Sequence, residues 1–187
     1  CLLYLLSGEL PGERARALCV EQYRHGTNMT DIIAALAAIS HLKIHERDEI
    51  MEHFERTWID QPLVMDKWFT IQASSRADDT FTRVMKLMSH PVFSINNPNK
   101  VRSLIGAFSS NHHRFHNKDG SGYTFLADMI LEIDSKNSQI AARLVNPLIS
   151  YKRYEPKRMK LMKAQLERII RQKISRDVYE IVQKSLT

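Results

Sequence analysis

The sequence predicts an all-α fold: an irregular helical-repeat superhelix of the HEAT or armadillo kind, an α-solenoid of about ten helices in antiparallel pairs. Three observations predict it. Apolar residues recur every three or four positions in segment after segment, which paints a stripe down one face of a helix. Connections between the segments are short, with no convincing strand or long linker. Only 6 Gly and 6 Pro leave little material for turn-rich β architecture. No repeat of fixed period is visible, so the pairs are expected to be irregular, and a compact helical bundle is the competing architecture.

Each element has its own signals. An apolar opening, Leu2-Leu3-Tyr4-Leu5-Leu6, runs to Gly8, and Pro11 to Tyr23 reads as a helix stopped by His25-Gly26. Thr30 is expected to cap a helix ending near Leu42, with Ile32, Ile33, Leu36 and Ile39 on one face. Glu46 to Ile59 repeats the pattern with Ile50, Phe54 and Trp58. After a turn at Asp60-Gln61-Pro62, so does Leu63 to Ala73 with Val64, Trp68 and Ile71. A helix from Asp79 should turn Phe81, Val84, Met85 and Met88 inward and stop at His90-Pro91.

Asn97-Pro98 is a strong start signal, and Val101, Leu104, Ile105 and Phe108 follow at i, i+3, i+4 and i+7. Ser109 to Ser121 is polar and reads as a loop ending in Asp119-Gly120-Ser121-Gly122. Tyr123 to Ile133 resumes helix, and Asn137 or Ser138 caps Gln139 to Leu148. Pro156 opens a long helix through Met159, Met162, Leu166, Ile169 and Ile170, and Val178, Ile181, Val182 and Leu186 finish the chain.

Composition narrows the function classes. A chain of 187 residues buries roughly 70% of its unfolded surface and needs no staples. Two cysteines, Cys1 and Cys19, are too few for a disulfide framework. The apolar opening is too short to span a bilayer and lacks the basic flank of a signal peptide, so nothing points to a membrane or to export. The chain begins at Cys1 without Met and enters an apolar run uncapped, which predicts a fragment of a longer protein.

Catalytic patterns are missing. His41 and His45 stand four apart, but a zinc helix of the H-E-x-x-H type needs a second His where Glu49 stands. His112, His113 and His116 lie in the polar loop without carboxylates to orient ligating imidazoles, and loop solvation is the expectation. Gly120-Ser121-Gly122 lacks the Lys-Ser/Thr of a phosphate loop, and no G-x-S-x-G elbow is present. The formal charge of +6 concentrates in Lys152 to Arg176, opposed there only by Glu155 and Glu167. That stretch could grip phosphates, but without interleaved aromatics a solvated outer helix is the stronger expectation and nucleic-acid binding the weaker.

Several segments in order resemble one family. They are Asn28-Met29-Thr30-Asp31, Leu63-Val64-Met65-Asp66-Lys67-Trp68-Phe69, the block from Asn97 to Phe108, and Asp119-Gly120-Ser121-Gly122-Tyr123. Ala142-Arg143-Leu144, Pro147-Leu148 and Lys152-Arg153-Tyr154 join them. Together they look like the end of bacterial aminopeptidase N, also called alanyl aminopeptidase, a gluzincin zinc metallopeptidase that removes N-terminal residues from peptides. The resemblance implies that residues 1–187 are the C-terminal helical-repeat domain of a larger cytoplasmic enzyme. It also implies that zinc sits in that enzyme's catalytic domain, with no cofactor in this fragment. The family's H-E-x-x-H helix and G-x-M-E-N segment match nothing here, so the fragment itself is expected to be inactive.

The resemblance further implies partners and a task. The partners would be the catalytic domain of the same polypeptide and peptide substrates, and the domain would close over a substrate chamber, gating access and positioning the peptide. Arg102, Gln139 and Arg143 are then the substrate-binding candidates. Arg102 falls off the apolar stripe near a helix start that favours anions, and Gln139 and Arg143 are i, i+4 on one face. A guanidinium can clasp a carboxylate bidentately. The alternative for each Arg is an ordinary ion pair, and the rival for the whole chain is a free-standing scaffold that binds protein or nucleic acid.

Overall fold

In the computed structural model, residues 12–187 are described; the expectations for the opening apolar run, Gly8, Pro11 and Cys1 lie outside them. No strand occurs among the described residues. The helices are α1 (Gly12–His25), α2 (Met29–Ser40), α3 (His45–Trp58), α4 (Pro62–Ala73) and α5 (Thr80–Leu87). Next come α6 (Pro98–Val101), a π-helical turn (Arg102–Gly106) and α7 (Ala107–Ser109), followed by α8 (Ser121–Asp134), α9 (Ser138–Leu144) and α10 (Asn146–Ile149). A 3₁₀ turn (Ser150–Arg153), α11 (Pro156–Ile170) and α12 (Arg176–Leu186) complete the chain. None of the described helices is long and apolar enough to cross a membrane.

Neighbours in sequence are neighbours in space. α1 packs on α2, α2 on α3 and α4, and α4 on α5 and the π turn; α8 packs on α9, and α11 on α8 and α12. One continuous core runs through them, with Leu36, Phe54, Phe69, Phe108, Leu126, Met162 and Val182 among its buried members.

The repeat that the sequence hides is legible in the polar contacts between turns. Ser75 Oγ donates to the Ser40 carbonyl at 2.5 Å, 35 residues back, and Asn111 Nδ2 donates to the Ser75 carbonyl at 2.7 Å, 36 residues back. Arg158 Nε then donates to the His116 carbonyl across 42 residues, and Ser175 Oγ to Asp134 across 41. Such separations are close to the roughly 40-residue unit of HEAT and armadillo arrays. Repetition lives in geometry here, because a packed helix pair requires apolar periodicity but no particular side chain.

Asparagine side chains cap three of the helix starts. Asn28, rather than Thr30, caps α2 by accepting from Asp31 N at 3.0 Å. Asn97 accepts from Asn99 N at 2.9 Å with Pro98 in the first turn, and Asn137 accepts from Ile140 N at 3.1 Å. The helix expected over Gln139 to Leu148 breaks in two after Leu144, just ahead of Pro147, whose ring removes a backbone donor.

Three further expectations are corrected. Met85 is 48% exposed, because α5 has only eight residues and its inward stripe is Val84 and Leu87 with Thr80. His41 ends α2 and His45 begins α3, so the two never share a helix face. The segment from Ser109 to Ser121 is not a solvated loop throughout, since Phe115 is fully buried and Asn111 is 7% exposed. Gly122 sits so close to it that a Cβ there would lie 2.4 Å from the Phe115 carbonyl oxygen, and Gly120 takes the left-handed φ of 75° that admits the chain to α8.

Candidate functional site

The Arg102 side chain is placed by a rigid support. Pro98 and the Asn97 cap fix the start of α6, and buried Lys100 anchors it to α4 with its ammonium 2.7 Å from Asp66 and 3.1 Å from the Pro62 carbonyl. Ala107 N–H reaches back to the Arg102 carbonyl, the five-residue span that defines a π turn. The extra residue in that turn rotates the helix, so that Ser103, Leu104 and Ile105 are all buried while Arg102 is exposed. Its one polar partner among the described residues is Asn99 Oδ1, 3.4 Å from Nη1.

Gln139 and Arg143 project from α9, one turn apart, and both are exposed. They line one groove of about 550 Å³ with Asn146 on their own side and Asp177, Glu180 and Ile181 from α12 opposite. The two carboxylates already have partners: Ser138 Oγ donates to Asp177 at 2.7 Å, and Arg176 Nε to Glu180 at 2.6 Å. Arg143 forms no ion pair among the described residues, and neither does Arg102. The structure therefore brings Gln139 and Arg143 together, whereas Arg102 stands on a different element and does not line that groove.

Sequence reasoning missed two clusters. His116 is clamped between two phenols, with Tyr123 Oη 2.9 Å from Nδ1 and Tyr154 Oη 2.9 Å from Nε2, and the His112 ring stacks on it at 5.7 Å. Burial, then the nearby His112 and Arg158, pushes the His116 imidazole down to about 4, with Glu155 opposing. Burial likewise pushes the Tyr123 phenol up to about 12. The second cluster centres on Arg47, whose side chain is 7% exposed and which grips Asp79 with two bonds of 3.1 and 2.6 Å. Arg83 closes it by binding Asp48 at 2.7 Å and Asp79 at 3.2 Å. Two of the pairings join residues 32 and 35 apart, so local spacing could announce only the i, i+4 pair of Asp79 and Arg83.

The basic stretch behaves as an outer helix face. Arg158 pairs with Glu155, Lys163 with Glu167, Arg168 with Asp128 and Arg176 with Glu180. Among the described residues, no three His, Cys, Asp or Glu side chains converge as a metal site would require. Free Cys19 is buried in the core, where desolvation raises its thiol pKa, a packing role rather than a nucleophilic one.

Comparison with known proteins gives these features a setting. Residues 1–187 match the family described as a domain of unknown function, DUF3458_C, with ARM repeats. The chain is 43% identical over 188 residues to aminopeptidase N of Escherichia coli strain K12, and 40% identical to that of Haemophilus influenzae, in each case over all of this chain and 21% of the relative. The crystal structure of Legionella pneumophila aminopeptidase A in complex with aspartic acid superposes with a TM-score of 0.93 at 33% identity, covering 100% of this chain and 22% of that one. The matched region is the C-terminal part of aminopeptidase N, so the chain spans about a fifth of the length of these relatives.

Proposed function

This chain belongs to the DUF3458_C family of ARM-repeat domains, and on that footing we propose that it is the non-catalytic C-terminal domain of a zinc-dependent aminopeptidase. In this reading it closes the substrate chamber of the parent enzyme, restricts entry to peptides, and positions them for hydrolysis by a catalytic domain of the same polypeptide. In this reading zinc chemistry belongs to that other domain, and the likeness to aminopeptidase N over only a fifth of its length supports it. The chain's own work is orientation, which lowers a barrier by holding reacting groups in register without touching the scissile bond.

The observation that carries the reading is the pair of exposed guanidiniums, Arg102 and Arg143, each on a buried, capped support and each without a carboxylate partner among the described residues. Arg158, Arg168 and Arg176 are held in ion pairs, whereas exposed Arg76, Arg153 and Arg171, like Arg102 and Arg143, make none among the described residues. What singles out Arg102 and Arg143 for a peptide carboxylate or carbonyl is their placement, one on the π turn and one beside Gln139 in a groove. The π turn beneath Arg102 adds support, since such turns gather at functional positions.

The test uses the complete enzyme. Arg102→Ala or Arg143→Ala should lower kcat/KM for an oligopeptide by about tenfold, the value of one charge-assisted contact, while a single-residue chromogenic amide is barely affected. Equal losses on both substrates would remove the claim that these residues hold the distal part of the peptide.

A further inference from the structure

A cleft of about 610 Å³ opens beside the His116 cluster, on elements that carry neither Arg102 nor Arg143. His112, His113, Asn117 and Lys118 line it from the segment after α7, and Tyr154 and Arg158 from the start of α11, with His116 between them. His116 and the Tyr154 hydroxyl are engaged with each other at 2.9 Å, and Arg158 directs Nε to the His116 carbonyl at 2.7 Å and Nη1 to Glu155 at 2.8 Å. The others are not engaged: the rings of His112 and His113, the Asn117 carboxamide and the Lys118 ammonium make no hydrogen bond or ion pair among the described residues. A neutral imidazole has one N–H to give, a carboxamide two and an ammonium three.

The charge around these donors is positive. Lys118 and Arg158 are permanent cations and no carboxylate lines the cleft, whereas the Arg143 groove holds Asp177 and Glu180. The acids next to it in sequence are held elsewhere, Glu155 by Arg158 and Asp119 by the Ser121 amide and hydroxyl at 3.0 and 2.8 Å. Lys152, Arg153 and Lys157 flank Tyr154 and Arg158 in the chain, are exposed, and form no ion pair among the described residues. Burial first, and then His112 and Arg158, hold the His116 imidazole down against the opposing Glu155, which agrees with that sign of field. Such a site repels a cation, and a purely apolar ligand would take water from the donors and return nothing. A carboxylate offers two oxygens, but a phosphate offers three or more and up to two charges, which suits separate donors reaching in from two elements.

We propose that this cleft binds a phosphate group, either free or carried as a monoester of a small molecule. Lys118 and Arg158 supply the charge, and His112, His113 and Asn117 supply N–H donors. The proposal does not depend on the roles assigned to Arg102 and Arg143.

The test is an NMR titration of the full chain with isotope-labelled histidine, at fixed pH and ionic strength. Inorganic phosphate should produce saturable shifts at the His112 and His113 rings with Kd on the order of 1 mM. The exposed His25 and His45 rings, which lie outside the cleft, should not follow that curve. Acetate should saturate neither ring of the cleft, and Lys118→Ala, an exposed change, should weaken phosphate about fivefold. Phenyl phosphate separates the two sources: tighter binding than phosphate assigns a monoester, equal or weaker binding assigns the free ion, and both support the site. The proposal is overturned if His112 and His113 do not respond up to about 20 mM phosphate, a range that still covers very weak binding. It is equally overturned if His25 and His45 titrate in parallel, if acetate binds as phosphate does, or if Lys118→Ala binds phosphate as the native chain does.

Discussion

His116 makes the chain acid-sensitive in a way that can be calculated. A neutral imidazole has one N–H and one lone pair, so between Tyr123 and Tyr154 it donates to one phenol and accepts from the other. Protonation removes the lone pair, so the phenol that donated must turn its proton away and accept instead, and it places a charge in a buried site that also faces His112 and Arg158. Its pKa is about 4 when folded against an ordinary 6.5, so the folded chain binds fewer protons than the unfolded chain across that interval. Stability contributed by the neutral ring is therefore complete above about pH 6.5 and declines as pH falls through that value towards 4. At 1.36 kcal/mol per unit, discounted for the partial exposure of the ring, the loss by about pH 4.5 is roughly 2 kcal/mol. Urea unfolding of the native chain and of His116→Asn, at about pH 7.5 and about pH 4.5, isolates this term, because the other titrating groups are common to both proteins. The native chain should lose about 2 kcal/mol more than the variant over that interval. An equal loss in the two would refute the assignment of the acid sensitivity to this ring.

Two other perturbations follow from the packing. Gly122→Ala places a methyl 2.4 Å from the Phe115 carbonyl oxygen, a backbone atom that cannot swing aside, and should cost about 2–3 kcal/mol in urea unfolding. Asp79→Asn removes the charge that holds buried Arg47; burial alone would raise the Asp79 carboxyl, but Arg47 and Arg83 override it and hold it below its ordinary value. With the carboxylate partly exposed, a loss of about 2 kcal/mol is expected, and the gap between Asp79→Asn and native should shrink below the usual carboxylate range.

Periodicity was enough to read the helices, because a stripe of Ile32, Leu36 and Ile39 or of Val101, Leu104 and Phe108 can be buried in only one way. It could not reveal the π turn, since Val101, Leu104, Ile105 and Phe108 keep their spacing while one extra residue is accommodated within the same segment. Nor could it order the stretch from Ser109 to Ser121, whose polarity reads as solvation. That stretch is held by contacts from the neighbouring repeats, Asn111 to Ala73 and Ser75 on one side and His116 to Tyr154 and Arg158 on the other. Long-range partners carry no local pattern, and the same reason hid the Arg47 cluster.

The candidate site was legible to a different depth at each residue. Arg102 could be placed off the core by counting along the stripe, and the shared face of Gln139 and Arg143 by their spacing. What counting could not supply was the absence of partners among the described residues, because Asp177 and Glu180, which share the Arg143 groove, lie more than one helix away in sequence. Ser138 and Arg176 hold those two carboxylates, and Arg143 forms no ion pair with either. An array built from turns that clasp one another every 35 to 42 residues holds its successive repeats in fixed relation. Fixed spacing between repeats is the property a surface needs if arginines on different repeats are to hold one extended peptide rather than bind it independently, and orientation of that kind gains rate only while the support stays rigid.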